Sequence, residues 1–417
     1  MMMTKKALLY LFVVNFVLYE IHPTAAFLVT QKIIKRTNVD DIYSTSCLYF
    51  SQGDQPLSSF VTIPDYALEP TNEDVIPLLE DQRLVCMGDV HGDVSALKKA
   101  LEIAGVYKDD KWNGKNTILV QCGDILDRGS EELACFSLLA RLSHEAVKEG
   151  GKVIVLYGNH EALNAMGLFQ YATTDSEYEE LVGSQIDDAL QTSDWRIQYV
   201  GNQPARWASF EPNGLLAQSL LANMKVAVQV GRTVCVHAGL TKGHIKKYGG
   251  LEGMNQAAKE WITGNFDDVS YNNEGLYSNR LQPWVEAEAR QTSYIDTAPG
   301  FLGGGIGTTS PIWMRDYSSP NDQPPKNPKA QAMINAALKE LDCDRMVMGH
   351  TIQKQINCAL EGRAWRVDVG MSKGVVSGTP EVLEIMMTNG TEVVSVLTSD
   401  GKIPSSERQT VAIANLF

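Results

Sequence analysis

Short apolar runs, each closing on a polar motif, recur along most of the chain. Residues 83–87, 117–121, 152–157, 233–236 and 345–348 are rich in Val, Ile, Leu and Met, the pattern of strands buried on both faces. Between these runs, residues 94–104, 131–148 and 329–341 carry apolar side chains at helical spacing. The repeated order of strand, motif and helix predicts a layered α/β sandwich. Farther on, 382–387 and 391–397 flank Asn389-Gly390, a strong signal for a two-residue β-hairpin. Residues 171–222 and 241–299 lack this rhythm and are expected to be helical or irregular insertions that wall the site. The proline-rich stretch 318–328 reads as a surface loop. Gly303, Gly304, Gly305 and Gly307 also read as a loop, because no strand-to-helix context or Lys-Ser/Thr pair follows them.

Composition narrows the class. With 44% hydrophobic and 21% charged residues, a 417-residue chain has the make-up of a globular protein with a large core. A formal charge of -14 disfavours non-specific binding to nucleic acid or anionic lipid, so any phosphate handled here must meet a local positive site. Seven cysteines without a CxxC pair argue against a disulfide framework or a structural zinc site. Cys86, Cys122 and Cys235 lie in strand-like runs and are expected to be buried.

The N-terminus adds targeting. Lys5 and Lys6 precede an apolar run over 7–21, then Thr24-Ala25-Ala26. This predicts a signal peptide over 1–26 rather than a membrane anchor, since the run is shorter than the roughly 18–20 apolar residues a bilayer span requires. Phe27 and the basic, hydroxyl-rich stretch behind it resemble the bipartite presequence of algae with complex plastids, although Asp40 and Asp41 depart from it. The resemblance implies delivery to a plastid; secretion or retention in an endomembrane lumen is the alternative. Residues 27–75 are accordingly expected to be transit-like presequence and linker, and 76–417 the catalytic domain.

The predicted strands end in Gly88-Asp89-Val90-His91-Gly92, Gly123-Asp124-Ile125-Leu126-Asp127-Arg128-Gly129, Gly158-Asn159-His160-Glu161, His237-Ala238-Gly239 and Gly349-His350-Thr351. Strand ends of such a sheet gather at one edge, so these motifs converge. Their donors are carboxylate, imidazole and amide oxygen without thiolate, which suits Mn, Fe or Zn better than Mg or Ca. Two such divalent or trivalent ions, about 3.5–4 Å apart, would neutralise a phosphate ester and activate a shared water for direct attack. Asp124 is expected to bridge them, with Asp89 and His91 on the first ion and Asn159, His237 and His350 on the second. His160 is expected to protonate the leaving oxygen, oriented by Asp127, while Arg128 clamps phosphate oxygens with its planar fork. His244, seven residues past His237 within an insertion, is expected to be solvated rather than a ligand.

The first three motifs have the pattern GDxHG, GDxxDRG, GNHE of the phosphoprotein phosphatases in the calcineurin-like metallophosphoesterase superfamily. More narrowly, they resemble the Shewanella-like protein phosphatases over roughly 81–390, helped by Ser310-Pro311-Ile312-Trp313-Met314-Arg315 and by Trp365 through Ser372. The resemblance implies a four-layer α/β/β/α sandwich, a phosphoprotein substrate and a second phosphate-binding arginine at Arg315. The chain departs from the family at Leu168 and Gln170, where an acidic and a basic residue are usual, at Asn213 of the PGG segment and at Ala238 of the HGG motif. A substrate preference unlike that of typical members is the expected result. Symmetrical dinucleoside tetraphosphate hydrolysis is the rival activity, since that branch shares the HAG and GHT motifs. A non-catalytic scaffold is the remaining reading, disfavoured because no ligand is missing.

Overall fold

A computed structural model describes residues 66–173, 177–178, 203–212, 214–264, 298–304 and 308–410. The signal peptide and most of the transit-like segment expected from sequence lie outside the described residues. In chain order the elements are β1 (Val75–Ile76), β2 (Arg83–Met87), α1 (Val94–Ile103), β3 (Tyr107–Lys108), β4 (Lys111–Trp112), β5 (Ile118–Gln121), α2 (Glu132–Lys148), β6 (Lys152–Val155) and α3 (Asn159–Ala165). There follow α4 (Pro204–Phe210), α5 (Leu215–Ser219), β7 (Ala227–Val230), β8 (Thr233–Val236), α6 (Lys242–Lys247), α7 (Gly250–Ile262) and α8 (Ala330–Leu341). The last are β9 (Arg345–Met348), β10 (Asn357–Ala359), β11 (Ala364–Arg366), β12 (Val382–Thr388), β13 (Thr391–Thr398) and β14 (Gly401–Pro404).

Two six-stranded sheets carry the fold, ordered β1-β7-β8-β9-β11-β10 and β14-β13-β12-β2-β5-β6. In the second, β2, β5 and β6 run parallel, with Cys86 opposite Val120 and Val120 opposite Ile154. In the first, β8, β9 and β11 run parallel, with Cys235 opposite Val347 and Val347 opposite Trp365. Parallel neighbours need crossovers, which places the carboxyl ends of each trio at one edge of its sheet. The sheets touch face to face, since Cys86 Sγ on β2 lies 3.7 Å from Cys235 Sγ on β8. Helix α2 packs on β6 and α7 on β7, completing the helix, sheet, sheet, helix order.

Several local choices set these elements. Asp93 caps α1, its Oδ1 accepting from Ala96 N at 3.0 Å, a bond of the kind that stabilises a helix start by about 1 kcal/mol. The β12–β13 hairpin turns through Asn389 (φ 51) and Gly390 (φ 70), the left-handed pair that a type I′ turn demands. Among the described residues no helix is long and apolar enough to cross a membrane.

Candidate metal centre

The motif loops leave their strands through strained backbone. His91, Asp124, Asp127, Arg128 and His350 all have φ between 44 and 68, a region that non-glycine residues seldom occupy and that clusters at functional sites. Close approach explains two of the glycines: a Cβ on Gly158 would lie 2.0 Å from Asp124 Oδ1, and one on Gly349 would lie 2.4 Å from Asp89 Oδ1.

Glu161, given no role by sequence reasoning, organises the second loop. Its Oε1 accepts from Ile125 N (2.8 Å) and Leu126 N (3.1 Å), and its Oε2 from Asp124 N (2.8 Å) and Gly158 N (2.8 Å). One fully buried carboxylate therefore closes the turn that aims Asp124.

Around Asp124 two sets of donors converge: His91, Asp124 and His160 in one, Asp124, His237 and His350 in the other. The Asp124 carboxylate belongs to both. Its Oδ2 lies 3.3 Å from His237 Nε2 and 3.9 Å from the Nε2 atoms of His91 and His160. Asn159 joins the second set, its Oδ1 3.1 Å from His237 Nε2. Asp89 lies outside both sets and accepts from His350 N at 3.2 Å.

Backbone carbonyls select the imidazole tautomers. Leu126 O lies 2.8 Å from His91 Nδ1, and Cys122 O lies 2.7 Å from His237 Nδ1. A carbonyl only accepts, so each Nδ1 carries the proton and each Nε2 presents a lone pair to the centre. For His350 the arrangement is reversed, since Trp313 O lies 3.2 Å from Nε2 and Nδ1 holds the lone pair.

Electrostatics divides the four imidazoles into two pairs, His91 and His350 shifted down, His160 and His237 shifted up. Burial, together with His160, pushes His91 down to about 3, and burial with Arg315 and His237 holds His350 well below the usual imidazole value. Both rings stay neutral, as a ligand must. For His160 burial acts against protonation, yet Asp124 and the bonded Asp127 raise its pKa. For His237 too burial acts against protonation and Asp124 raises the pKa; a carboxylate on Nδ1, where His237 has a backbone carbonyl, marks His160 as the acid.

Carboxyl groups crowd the centre. Burial pushes Asp89 well up, helped by Asp368 and Asp124. For Asp124 burial opposes ionisation, but His237 and His160 hold the carboxyl well below its usual range. Asp368, just past β11, was not singled out from the sequence. Its Oδ1 accepts from Gly370 N at 2.8 Å, its Oδ2 is buried without a hydrogen-bond partner, and burial raises its pKa to about 6 with Asp124 adding to the shift. Carboxylates buried together demand compensating cations, and neutral imidazoles interleaved with them supply transition-metal donors. The residues therefore fit a pair of divalent ions.

Beside this centre, His160 Nδ1 lies 2.6 Å from Asp127 Oδ2. Arg128 spans the two sides, with Nη1 3.2 Å from His91 Nε2 and Nη2 3.2 Å from His160 Nε2. Arg315 reaches the mouth of the site with an exposed side chain; loss of surrounding water lowers its pKa, while Asp124 and Asp89 pull the other way. Tyr171 forms a rim that sequence reasoning missed, its ring centroid 5.0 Å from that of His160 and 5.7 Å from Arg128 Cζ. Gln170, beside it, is exposed. His244 is half-buried rather than solvated: it caps α6, with its Nδ1 accepting from Thr241 N at 3.1 Å.

Comparison with known proteins agrees with this geometry. Residues 82–354 match the family model described as calcineurin-like phosphoesterase. The chain is 32% identical over 374 residues to Shewanella-like protein phosphatase 2 of Arabidopsis thaliana, covering 81% of this chain and 87% of that protein. It is 40% identical over 217 residues to Shewanella-like protein phosphatase 1 of Plasmodium berghei, covering 51% of this chain and 54% of the relative. Its fold is similar to that of a cold-active protein-tyrosine phosphatase from a psychrophilic Shewanella species, with a TM-score of 0.54 at 18% identity, over 85% of this chain and 87% of the other.

Proposed function

Because the chain belongs to the calcineurin-like phosphoesterases and, within them, to the Shewanella-like protein phosphatases, we propose that it hydrolyses phosphate monoesters on phosphorylated protein. The observation that carries this reading is the Asp124 carboxylate shared by two donor sets, next to a His160–Asp127 pair joined at 2.6 Å.

Asp89, His91 and Asp124 would hold one metal ion, and Asp124, Asn159, His237 and His350 the other. When bound, such ions neutralise phosphate charge and lower the pKa of a water, the chemistry a monoester needs for hydrolysis. The donor set suits Mn for activity in vitro, with Fe or Zn as alternatives.

The chain's own residues supply the rest. Arg128 stands between His91 and His160, where its fork can bind phosphate oxygens pairwise. Arg315 closes the mouth with a second guanidinium, adding to the local positive charge that an acidic protein needs to hold an anion. His160 gives the Nε2 proton to the departing serine, threonine or tyrosine oxygen, while Asp127 holds the Nδ1 proton and so fixes the ring. Tyr171 lines the approach to that oxygen.

The residues ahead of β1 are proposed as a signal peptide over 1–26 followed by a transit-like segment and linker, directing the catalytic domain to a plastid. Support comes from the apolar run, the small residues at 24–26 and Phe27; the N-terminal sequence of the mature protein tests it.

The activity is tested with Mn-loaded protein on a phosphopeptide panel beside diadenosine tetraphosphate. The expected result is phosphate release from phosphopeptides that Asp124→Asn abolishes. Faster cleavage of the dinucleotide would assign the chain to the rival activity, and inertness toward both would leave only a scaffold.

A further inference from the structure

Arg206 lies on α4, within the insertion between α3 and β7, and its side chain has no exposure to solvent. Nη2 donates to Asp127 Oδ1 at 2.8 Å and to Glu132 Oε1 at 2.8 Å, Nη1 donates to Glu132 Oε2 at 2.7 Å, and Nε donates to Asn164 Oδ1 at 2.5 Å. Aromatic faces enclose the guanidinium: its Cζ lies 4.9 Å from the Tyr178 centroid, 5.8 Å from Phe210 and 5.9 Å from Phe169. Glu132, at the start of α2, also accepts from Asp127 N and from the Tyr178 hydroxyl. Asn164 Nδ2 adds a second donor to Asp127 Oδ1 at 3.1 Å and a bond to His160 O at 2.8 Å.

These bonds divide the two oxygens of Asp127. Oδ1 is taken by Arg206 and Asn164, which leaves Oδ2 for His160 Nδ1. A carboxylate without such constraint can rotate and offer either oxygen, and the ring it orients loses its aim with it. Catalytic groups need placement to within a fraction of an ångström, usually supplied by neighbours whose own geometry is locked. A planar guanidinium with paired donors is suited to that task in a way a flexible ammonium is not.

We propose that Arg206 is a positioning residue for the proton-donating pair: by locking Asp127 it aims His160 Nε2 at the leaving oxygen, which makes the insertion a working part of the acid rather than only a wall. The proposal rests on the phosphatase reading above. It predicts a particular kinetic signature, because an acid matters in proportion to how poorly the leaving group departs unaided.

The test is a leaving-group series, phenyl, p-nitrophenyl and 2,4-dinitrophenyl phosphate with a phosphoserine peptide, measured on native protein, Arg206→Met and Arg206→Lys after Mn loading. Metal content and thermal midpoint are recorded for each. For Arg206→Met, kcat/KM on phenyl phosphate and the phosphoserine peptide should fall about tenfold or more, while 2,4-dinitrophenyl phosphate changes by less than about threefold. Metal content should remain native, and Arg206→Lys should recover part of the loss. A loss equal across the series, a loss that follows metal content, or no loss at all overturns the proposal. If Arg206→Met does not fold, Arg206→Lys carries the same comparison, and failure of both to fold would reduce Arg206 to a core residue and overturn it too. Native protein inert toward every ester would instead overturn the phosphatase reading itself.

Discussion

Replacing Glu161 by Gln tests how the second loop holds Asp124. The native carboxylate accepts four backbone N–H bonds, two on each oxygen. Gln keeps one oxygen and so two of the bonds, but turns an amide NH2 toward the remaining pair of donors. Each buried donor left without an acceptor costs about 1–3 kcal/mol, so the pair costs roughly 2–6 kcal/mol. Part of this is offset, because burial and the nearby Asp124 raise the Glu161 pKa and the neutral amide avoids that penalty. A net loss of about 3 kcal/mol follows, equivalent to roughly 4 °C in thermal midpoint for a domain of this size. Urea unfolding of native and Glu161→Gln protein, each stripped of metal, measures it. Turnover should fall as well, since the turn that aims Asp124 is loosened. A variant within about 1 kcal/mol of native, with native turnover, would refute the argument that this carboxylate closes the loop.

Other perturbations give distinct readouts. Asp368→Asn removes one of three mutually repelling buried carboxylates, so the metal-free protein should melt at a higher temperature while its affinity for Mn, measured by calorimetry, falls; a lower melting temperature with unchanged affinity would contradict this. His244, with its pKa pushed down to about 4 chiefly by burial, binds its proton more weakly in the fold than in the unfolded chain. Its contribution to stability is therefore complete above about pH 6.5 and is lost as the pH falls toward 4. His244→Gln should flatten the stability profile in that window, and an unchanged slope would count against the cap. Gln170→Arg restores a positive charge at an exposed position beside Tyr171 and should change the ranking of phosphopeptides; identical rankings for the two proteins would show that Gln170 has no part in selectivity.

Much of this molecule was legible because its central strands are buried on both faces. Residues 83–87, 233–236 and 345–348 read as continuous apolar runs, and the strands observed there have the same bounds. The Asn389-Gly390 turn was equally plain. Strands β10 and β11 were not, since three residues each are too short to show a period. Among the site residues, those on the repeated Gly-Asp, Gly-Asn and Gly-His pattern could be found because each follows a strand. Asp368 had a weaker form of the same signal, an acidic residue after Val367 and two before Gly370, without a glycine ahead of it. Glu161 and Arg206 had none: the first serves a loop some 36 residues earlier and the second an aspartate 79 residues earlier. Such roles depend on which loops the fold brings together. Position in sequence does not disclose them.

If one aspartate serves two cations, the number of ions bound depends on it, and an ion count reads that dependence. Protein stripped by chelation, reloaded with Mn and desalted is analysed for bound metal, native beside Asp124→Asn. About two ions per native chain are expected, as in other two-metal hydrolases, with both lost when the shared carboxylate becomes an amide. A native chain holding fewer than one, or a variant that keeps two, would contradict it.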